Sequence, residues 1–280
     1  MANELTGKVV IVTGAGSPVG MGRSMSLSLA RAGAKVAMMD IDGKGLDDTE
    51  AFVRSNVPDA ALKTIVADVT SPEDAERVVA TTLSEFGGLH VLINNAGTNQ
   101  LNVGASSTTF EPFWTVTPAG WARVVAVNFS GPFYMTRAAM PHLLEQKWGR
   151  IIGVTTSLDT MIRVSMSPYG PSKAGHEALV ATMAQDMEGT GVTANVLVPG
   201  GPVNTNLLPP DTHFDRQKLI QPDVMMIPVI WLASEQSDGI NGRRFIAYEW
   251  DESLPLAERM EKASAPAAWP QLESKAIYPA

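Results

Sequence analysis

The sequence predicts an α/β fold built on a doubly wound parallel sheet of about seven strands, with helices on both faces. Three observations predict it. Short runs rich in Val and Ile alternate with helical stretches, the pattern of parallel strands joined by crossover helices. Those runs are near-continuously apolar rather than alternating, as strands covered on both faces are. A glycine-rich turn follows the first run and opens a helix, which brings backbone N–H groups within reach of a phosphate.

The elements follow in order. Residues 9–12 read as the first strand, and residues 23–31, after the glycine turn, as a helix. The second strand spans 35–39 and the third 63–67. Residues 72–86 form a helix whose start is marked by Ser71 as N-cap and Pro72 as first residue. The fourth to seventh strands are expected at 90–93, 150–154, 193–198 and 244–248. Internal repeats and clean linkers are absent from the sequence, so residues 1–255 read as one domain. Residues 256–280, rich in Ala and Pro, read as a tail lying on the body or on a neighbouring subunit.

Composition narrows the function. Apolar residues make up 45% and charged residues 18% of 280, an ordinary globular balance with a substantial core. The net charge of −8 and the lack of a dense basic run argue against nucleic acid as partner. With no cysteine, disulfides and thiolate metal sites are excluded, and a reducing compartment fits. The N-terminus lacks the charged-then-apolar pattern of a signal peptide, and no uncharged apolar stretch is long enough to cross a bilayer. A cytoplasmic protein with no membrane partner is the expectation.

Two constellations carry chemistry. In the glycine turn, residues 13–22, glycines allow tight turning and close approach to a pyrophosphate; Gly14, Ser17, Gly20 and Met21 are its candidate contacts. The second strand runs out at Asp40, 18 residues beyond Gly22, where a carboxylate can accept hydrogen bonds from ribose hydroxyls. That carboxylate would repel an extra phosphate, and the nearest cation is Lys44, so NAD is favoured over NADP. Tyr169 and Lys173, four apart, share one helix face. A phenol titrates near 10, and neutral-pH chemistry needs that lowered by about three units, or about 4 kcal/mol, which a nearby cation can supply.

At these residues the chain resembles the short-chain dehydrogenase/reductase family in its compact single-domain form, over residues 5–250 or so, and with it the Rossmann fold. Thr13-Gly14 with Gly20 and Gly22 looks like the family's glycine motif, although five residues separate Gly14 from Gly20 where three are usual. Asp68-Val69 resembles the adenine-contacting pair, and Asn94-Asn95-Ala96-Gly97 the motif that braces the sheet beside the cofactor. Asn128 falls at the family's catalytic Asn, and Tyr169 and Lys173 at its Tyr-x-x-x-Lys pair. Pro199-Gly200 with Val203 and Thr205 resembles the segment that touches the nicotinamide amide and the phosphates. The family's catalytic Ser lies 13 positions before the Tyr, which is Thr156 here, with Ser157 one residue on. Register favours Thr156 and residue type favours Ser157; adjacent strand residues point to opposite faces.

The resemblance implies hydride transfer between NAD(H) and a secondary alcohol or ketone, with Tyr169 as general acid/base and Lys173 lowering its pKa. Thr156 or Ser157 would hold the substrate oxygen, and Asn128 a water beside Lys173. A homo-oligomer, tetramer or dimer, is implied as well. A lyase or epimerase on the same scaffold, or a non-catalytic NAD sensor, are the alternatives. The sensor would have no need of Tyr169, Lys173 and Asn128 together. The 30 residues between Gly97 and Asn128 include Phe110, Phe113 and Trp114, either a pocket lining or a cluster fastening a long loop. Arg163 reads either as a partner for a substrate carboxylate or as a solvated charge. Residues 206–221 are expected to form a mobile lid.

Overall fold

The computed structural model describes residues 3–104, 111–209 and 214–269. Seven parallel strands form its centre: β1 (Val9–Thr13), β2 (Lys35–Asp40), β3 (Leu62–Val66), β4 (Val91–Asn94), β5 (Gly149–Val154), β6 (Val192–Val198) and β7 (Arg243–Ile246). An eighth, β8 (Ser264–Pro266), pairs antiparallel with β7. The sheet order is β3-β2-β1-β4-β5-β6-β7-β8. Strand order reverses between β1 and β4, so a crevice opens there at the carboxyl ends of the strands.

Alternation along each strand feeds two cores. Val10 and Val12 of β1 join Val36, Met38, Ile93 and Phe245 on one face, under α1 (Met21–Arg31) and α8 (Met226–Ala233). Ile11 joins Ala37, Met39, Leu92 and Val196 on the other, under α3 (Pro72–Phe86), α5 (Gly131–Glu145) and α7 (Tyr169–Asp186). Between α1 and α3 lies α2 (Gly43–Asn56), and before α5 lies α4 (Pro118–Val125). The short α6 (Leu158–Ile162) precedes α7, and α9 (Leu256–Ala263) precedes β8.

The expected strands match within two residues at each end. The expected cap of α3 is present, with Ser71 Oγ accepting from Asp74 N at 3.0 Å. The seventh strand stops at Ile246 because Ala247–Glu249 turn into a 3₁₀ segment, which buries Trp250 against Trp231 and Phe245 of its own chain. The described part of the segment from Leu256 forms α9 and then β8, which covers the outer edge of β7. An edge strand left uncovered exposes unpaired N–H and C=O groups.

Candidate active site

Tyr169 is the first residue of α7 and Lys173 lies one turn on; both are buried. The Thr156 side chain faces the Tyr169 phenol and favours its ionised form. Burial pushes the phenol up to about 12, and Thr156 acts against that rise. Lys173 Nζ donates to Val154 O at 2.9 Å, and burial brings its ammonium down to about 8. The phenol, then, is not lowered as the spacing alone led one to expect. Desolvation outweighs the neighbouring groups.

The two candidate hydroxyls separate physically. β5 ends at Val154, and Ser157 is the N-cap of α6, its Oγ accepting from Thr160 N and sharing a 2.7 Å bond with Thr160 Oγ1. Thr156 is left to face Tyr169. Asn128 sits in a π-helical turn, Ala126–Ser130, between α4 and α5, the kind of helix defect often found at functional sites. Its side chain is fully buried and engaged: Oδ1 accepts from Thr98 N at 2.8 Å, and Nδ2 donates to Thr98 O at 2.8 Å and Ser172 Oγ at 3.0 Å. Ser172 in turn donates to Tyr169 O at 2.7 Å. A Cβ placed on Gly97 would stand 3.3 Å from Lys173 Nζ and 3.5 Å from Asn128 Oδ1, so these groups surround one point.

The glycine turn lies across the carboxyl end of β1. Gly14 has φ +71°, and a Cβ on Gly22 would meet Gly14 O at 2.2 Å, so neither position tolerates a side chain. Asn95 braces the turn from below, donating Nδ2 to Thr13 O at 2.8 Å and Gly14 O at 3.1 Å. Thr13 Oγ1 accepts from Asn95 N and Ala96 N. Asp40 holds the lengthened part: its carboxylate accepts from Gly16 N at 2.8 Å and Asp42 N at 3.0 Å.

A cleft of about 340 Å³ opens beside this turn, lined by Gly14, Asp40, Asp68, Val69, Ala96 and Gly97 among others. Burial would raise the Asp68 carboxyl, but hydrogen bonds from Thr70 and the Arg123 guanidinium hold it below the usual range. These residues fit a dinucleotide. Gly20 caps α1 without a side-chain bond to the first-turn N–H groups, and the buried Ser17 Oγ has no partner within the protein. Met21 opens α1 at the same place. Glycines keep the backbone bare where an anion would approach, and Asp40 retains lone pairs for ribose hydroxyls.

The third rim comes from the segment after β6. Pro199 O accepts from Tyr248 N, Gly200 has φ +110°, Val203 bridges to Ile220, and Thr205 N donates to Val203 O. Arg216 knits this segment, donating to Asn204 Oδ1 and to the carbonyls of Thr205, Leu208 and Pro209. Asn99 Nδ2 reaches Leu207 O at 2.7 Å and Gln100 Nε2 reaches Ser165 O at 3.0 Å, so the loop after β4 ties the other two rims together. Arg163 pairs with Asp159 one turn back on α6. Phe113 and Trp114 are exposed and pack edge to face on each other, whereas Phe110 and part of the expected lid, residues 210–213, lie outside the described residues. Arg123, Asn99, Arg216 and the pair Glu177–Arg244 went unseen in the sequence. Arg123, Asn99 and the Glu177–Arg244 pair act on residues 55 or more positions away, and Arg216 acts across 7 to 12 residues of irregular chain; no spacing rule marks either kind of contact.

Among the described residues no helix is long and apolar enough to cross a membrane. Comparison with known proteins agrees with the geometry. A family model described as short chain dehydrogenase matches residues 8–214. The peroxisomal multifunctional enzyme A of Dictyostelium discoideum is 30% identical over 262 residues, 91% of this chain, which spans only 56% of that longer protein. The 2-(S)-hydroxypropyl-CoM dehydrogenase 3 of Xanthobacter autotrophicus is 30% identical over 259 residues, 88% of this chain and 96% of its own length. The crystal structure of a short chain dehydrogenase from Mycobacterium smegmatis superposes with a TM-score of 0.72 at 26% identity, covering 87% of this chain and 92% of that one. The chain belongs to the short-chain dehydrogenase/reductase family, whose members are oxidoreductases that bind a nicotinamide cofactor and act on small molecules.

Proposed function

We propose that the chain is an NAD-dependent oxidoreductase that interconverts a secondary alcohol and a ketone, with Tyr169 as general acid/base. The observation that carries this reading is the convergence of buried Lys173 and Asn128 at Gly97, one helical turn from the buried Tyr169 phenol that Thr156 faces. Bound in the cleft, the nicotinamide dinucleotide supplies the hydride donor or acceptor and, when oxidised, a positive charge.

The chain's own residues do the rest. Tyr169 takes the alcohol proton in oxidation and returns it in reduction, a transfer worth about 10² to 10⁴ in rate. Thr156 donates to the substrate oxygen as charge grows there. Lys173 holds a cation in a dry site, where it favours the phenolate. Asn128 locks the loop at Thr98 against Ser172 and so keeps Gly97, Lys173 and Tyr169 in one arrangement. In this reading Gly14, Ser17, Gly20 and Met21 take the pyrophosphate. Asp68, Val69 and Ala96 take the adenosine half, and Pro199, Gly200, Val203 and Thr205 the nicotinamide half. Asn95 serves from behind the turn. The exposed Trp121, Phe129 and Phe133 support the expected homo-oligomer.

The test is net formation or loss of reduced nicotinamide, followed by its near-ultraviolet absorbance, across a panel of alcohols and ketones with NAD and with NADP. Turnover of a substrate with no net change in the cofactor would move the reading to a lyase or epimerase, and binding without turnover to a sensor.

Three substitutions refine it. Thr156→Val should lower kcat by about 10² or more, because the donor to the developing oxyanion is lost. Ser157→Ala should leave kcat within about 3-fold and cost about 1 kcal/mol of stability, the usual loss at a helix cap. Equal losses of kcat in the two variants would refute the assignment. Asp40→Ser should lower the NAD:NADP ratio of kcat/KM at least 10-fold, equivalent to about 1.4 kcal/mol of lost discrimination. Because Asp40 also braces Gly16, absolute rates with both cofactors should fall, and the ratio isolates its electrostatic role.

A further inference from the structure

The carboxyl end of β5 is held by an ion pair that the proposed chemistry does not use. Glu177, two turns beyond Tyr169 on α7, and Arg244, on β7, are bonded to each other with side chains 1% and 7% exposed. Arg244 crosses over β6 to reach β5, where its second guanidinium nitrogen donates to Thr156 O at 2.8 Å. Glu177 accepts from Thr155 Oγ1 at 3.1 Å. Its other oxygen accepts from Ala268 N at 3.4 Å, just past β8. Two consecutive residues at the end of β5 are thus tied to one buried pair, and the pair to the segment that closes the sheet edge.

Stability alone is a poor reason for this arrangement. Burying two charges costs several kcal/mol of desolvation, and an apolar pair of similar volume often packs as well or better. An apolar pair would join α7 to β7. It would not hold the Thr155–Thr156 backbone where regular pairing stops. The last ladder contact there is Thr155 N to Leu197 O, at 3.3 Å, and by Ser157 the chain has entered the cap of α6. Thr156 lies in between, and its side-chain direction follows from how its peptide is held.

We propose that Glu177 and Arg244 are positioning residues: together they fix the Thr155–Thr156 backbone so that the Thr156 hydroxyl faces the Tyr169 phenol. The kinetic consequence rests on the oxidoreductase reading; the geometric claim does not.

The test reads that contact itself. The chain has four tyrosines, so the Tyr169 Cζ resonance of isotope-labelled protein is assigned by its disappearance in Tyr169→Phe. Thr156→Val gives the position of that resonance without the hydroxyl. In the double variant Glu177→Leu/Arg244→Met the resonance is expected to move to the Thr156→Val position. kcat should fall at least about 10-fold, within the range of a lost electrostatic contact, with the cofactor KM changed less than about 2-fold. A resonance that stays at the parental position in the folded double variant overturns the proposal. Should the double variant not fold, Thr155→Val decides, since it removes one bond to Glu177 and preserves shape. Its resonance is then expected part of the way toward the Thr156→Val position, and an unmoved resonance overturns the proposal. A moved resonance in a protein that turns over no alcohol or ketone upholds the positioning role and defeats the oxidoreductase reading. Turnover with an unmoved resonance does the reverse.

Discussion

Tyr169→Phe is expected to lower kcat by about 10³ or more while leaving cofactor affinity and the fold nearly unchanged. The ring stays in its buried place, and only the phenolic oxygen that Thr156 faces is lost. That oxygen is the one group in the proposed mechanism able to take and return the substrate proton. The folded chain holds this phenol up at about 12, above its ordinary 10. Between those values the native state keeps a proton that the unfolded chain has shed, so stability falls as pH rises through the window. The Phe variant lacks that fall. Steady-state kinetics, calorimetric cofactor binding and denaturation on both sides of pH 10 measure all three effects. Retention of more than about a tenth of parental kcat would defeat the acid–base assignment.

Direction, rather than identity, was what the sequence could not supply at this tyrosine. Four-residue spacing puts Tyr169 and Lys173 on one face, and they do lie together at the start of α7. The sign of the shift depends on how much water reaches the phenol and where Nζ points. Nζ points to Val154 O, a backbone atom no motif names. The choice between Thr156 and Ser157 stayed open for a similar reason. It turns on Ser157 serving as the cap of α6, a five-residue helix too short to leave a periodic signal. The long Val/Ile strands were legible because each is covered on both faces. β8 was not: Ser264-Ala265-Pro266 has no apolar run, and its place at the β7 edge is set by pairing. The Glu177–Arg244 pair joins residues 67 apart and was invisible for the same reason.

Lys173→Met is the variant whose stability and activity should part most clearly. Burial has brought the Lys173 ammonium from its ordinary 10.5 down to about 8. Below about 8 it is protonated in both the folded and unfolded states, and the native state bears the full penalty of burying the charge. Above 10.5 it is neutral in both, and the penalty is gone. Between the two, the unfolded chain holds a proton that the native state has released, so parental stability rises with pH, by about 3 kcal/mol in all. Met removes the charge and also the donor to Val154 O, whose loss costs about 1–3 kcal/mol. At neutral pH the two effects roughly offset, so urea unfolding of the ligand-free proteins should give similar stabilities. Near pH 10.5 only the lost hydrogen bond remains, and the variant should be the weaker by about 1–3 kcal/mol. Tyr169 titrates in both proteins and cancels from the difference. A parent-minus-variant difference that is constant with pH would refute the buried, depressed ammonium. Below about pH 8, where Lys173 is charged, turnover should fall by about 10² or more, since a buried cation one helical turn from the phenol is what the proposed chemistry requires. In the proposed mechanism, a charge kept in a dry site at a cost of about 3 kcal/mol, where an apolar side chain would serve the fold as well, is kept for what it does to the Tyr169 phenol.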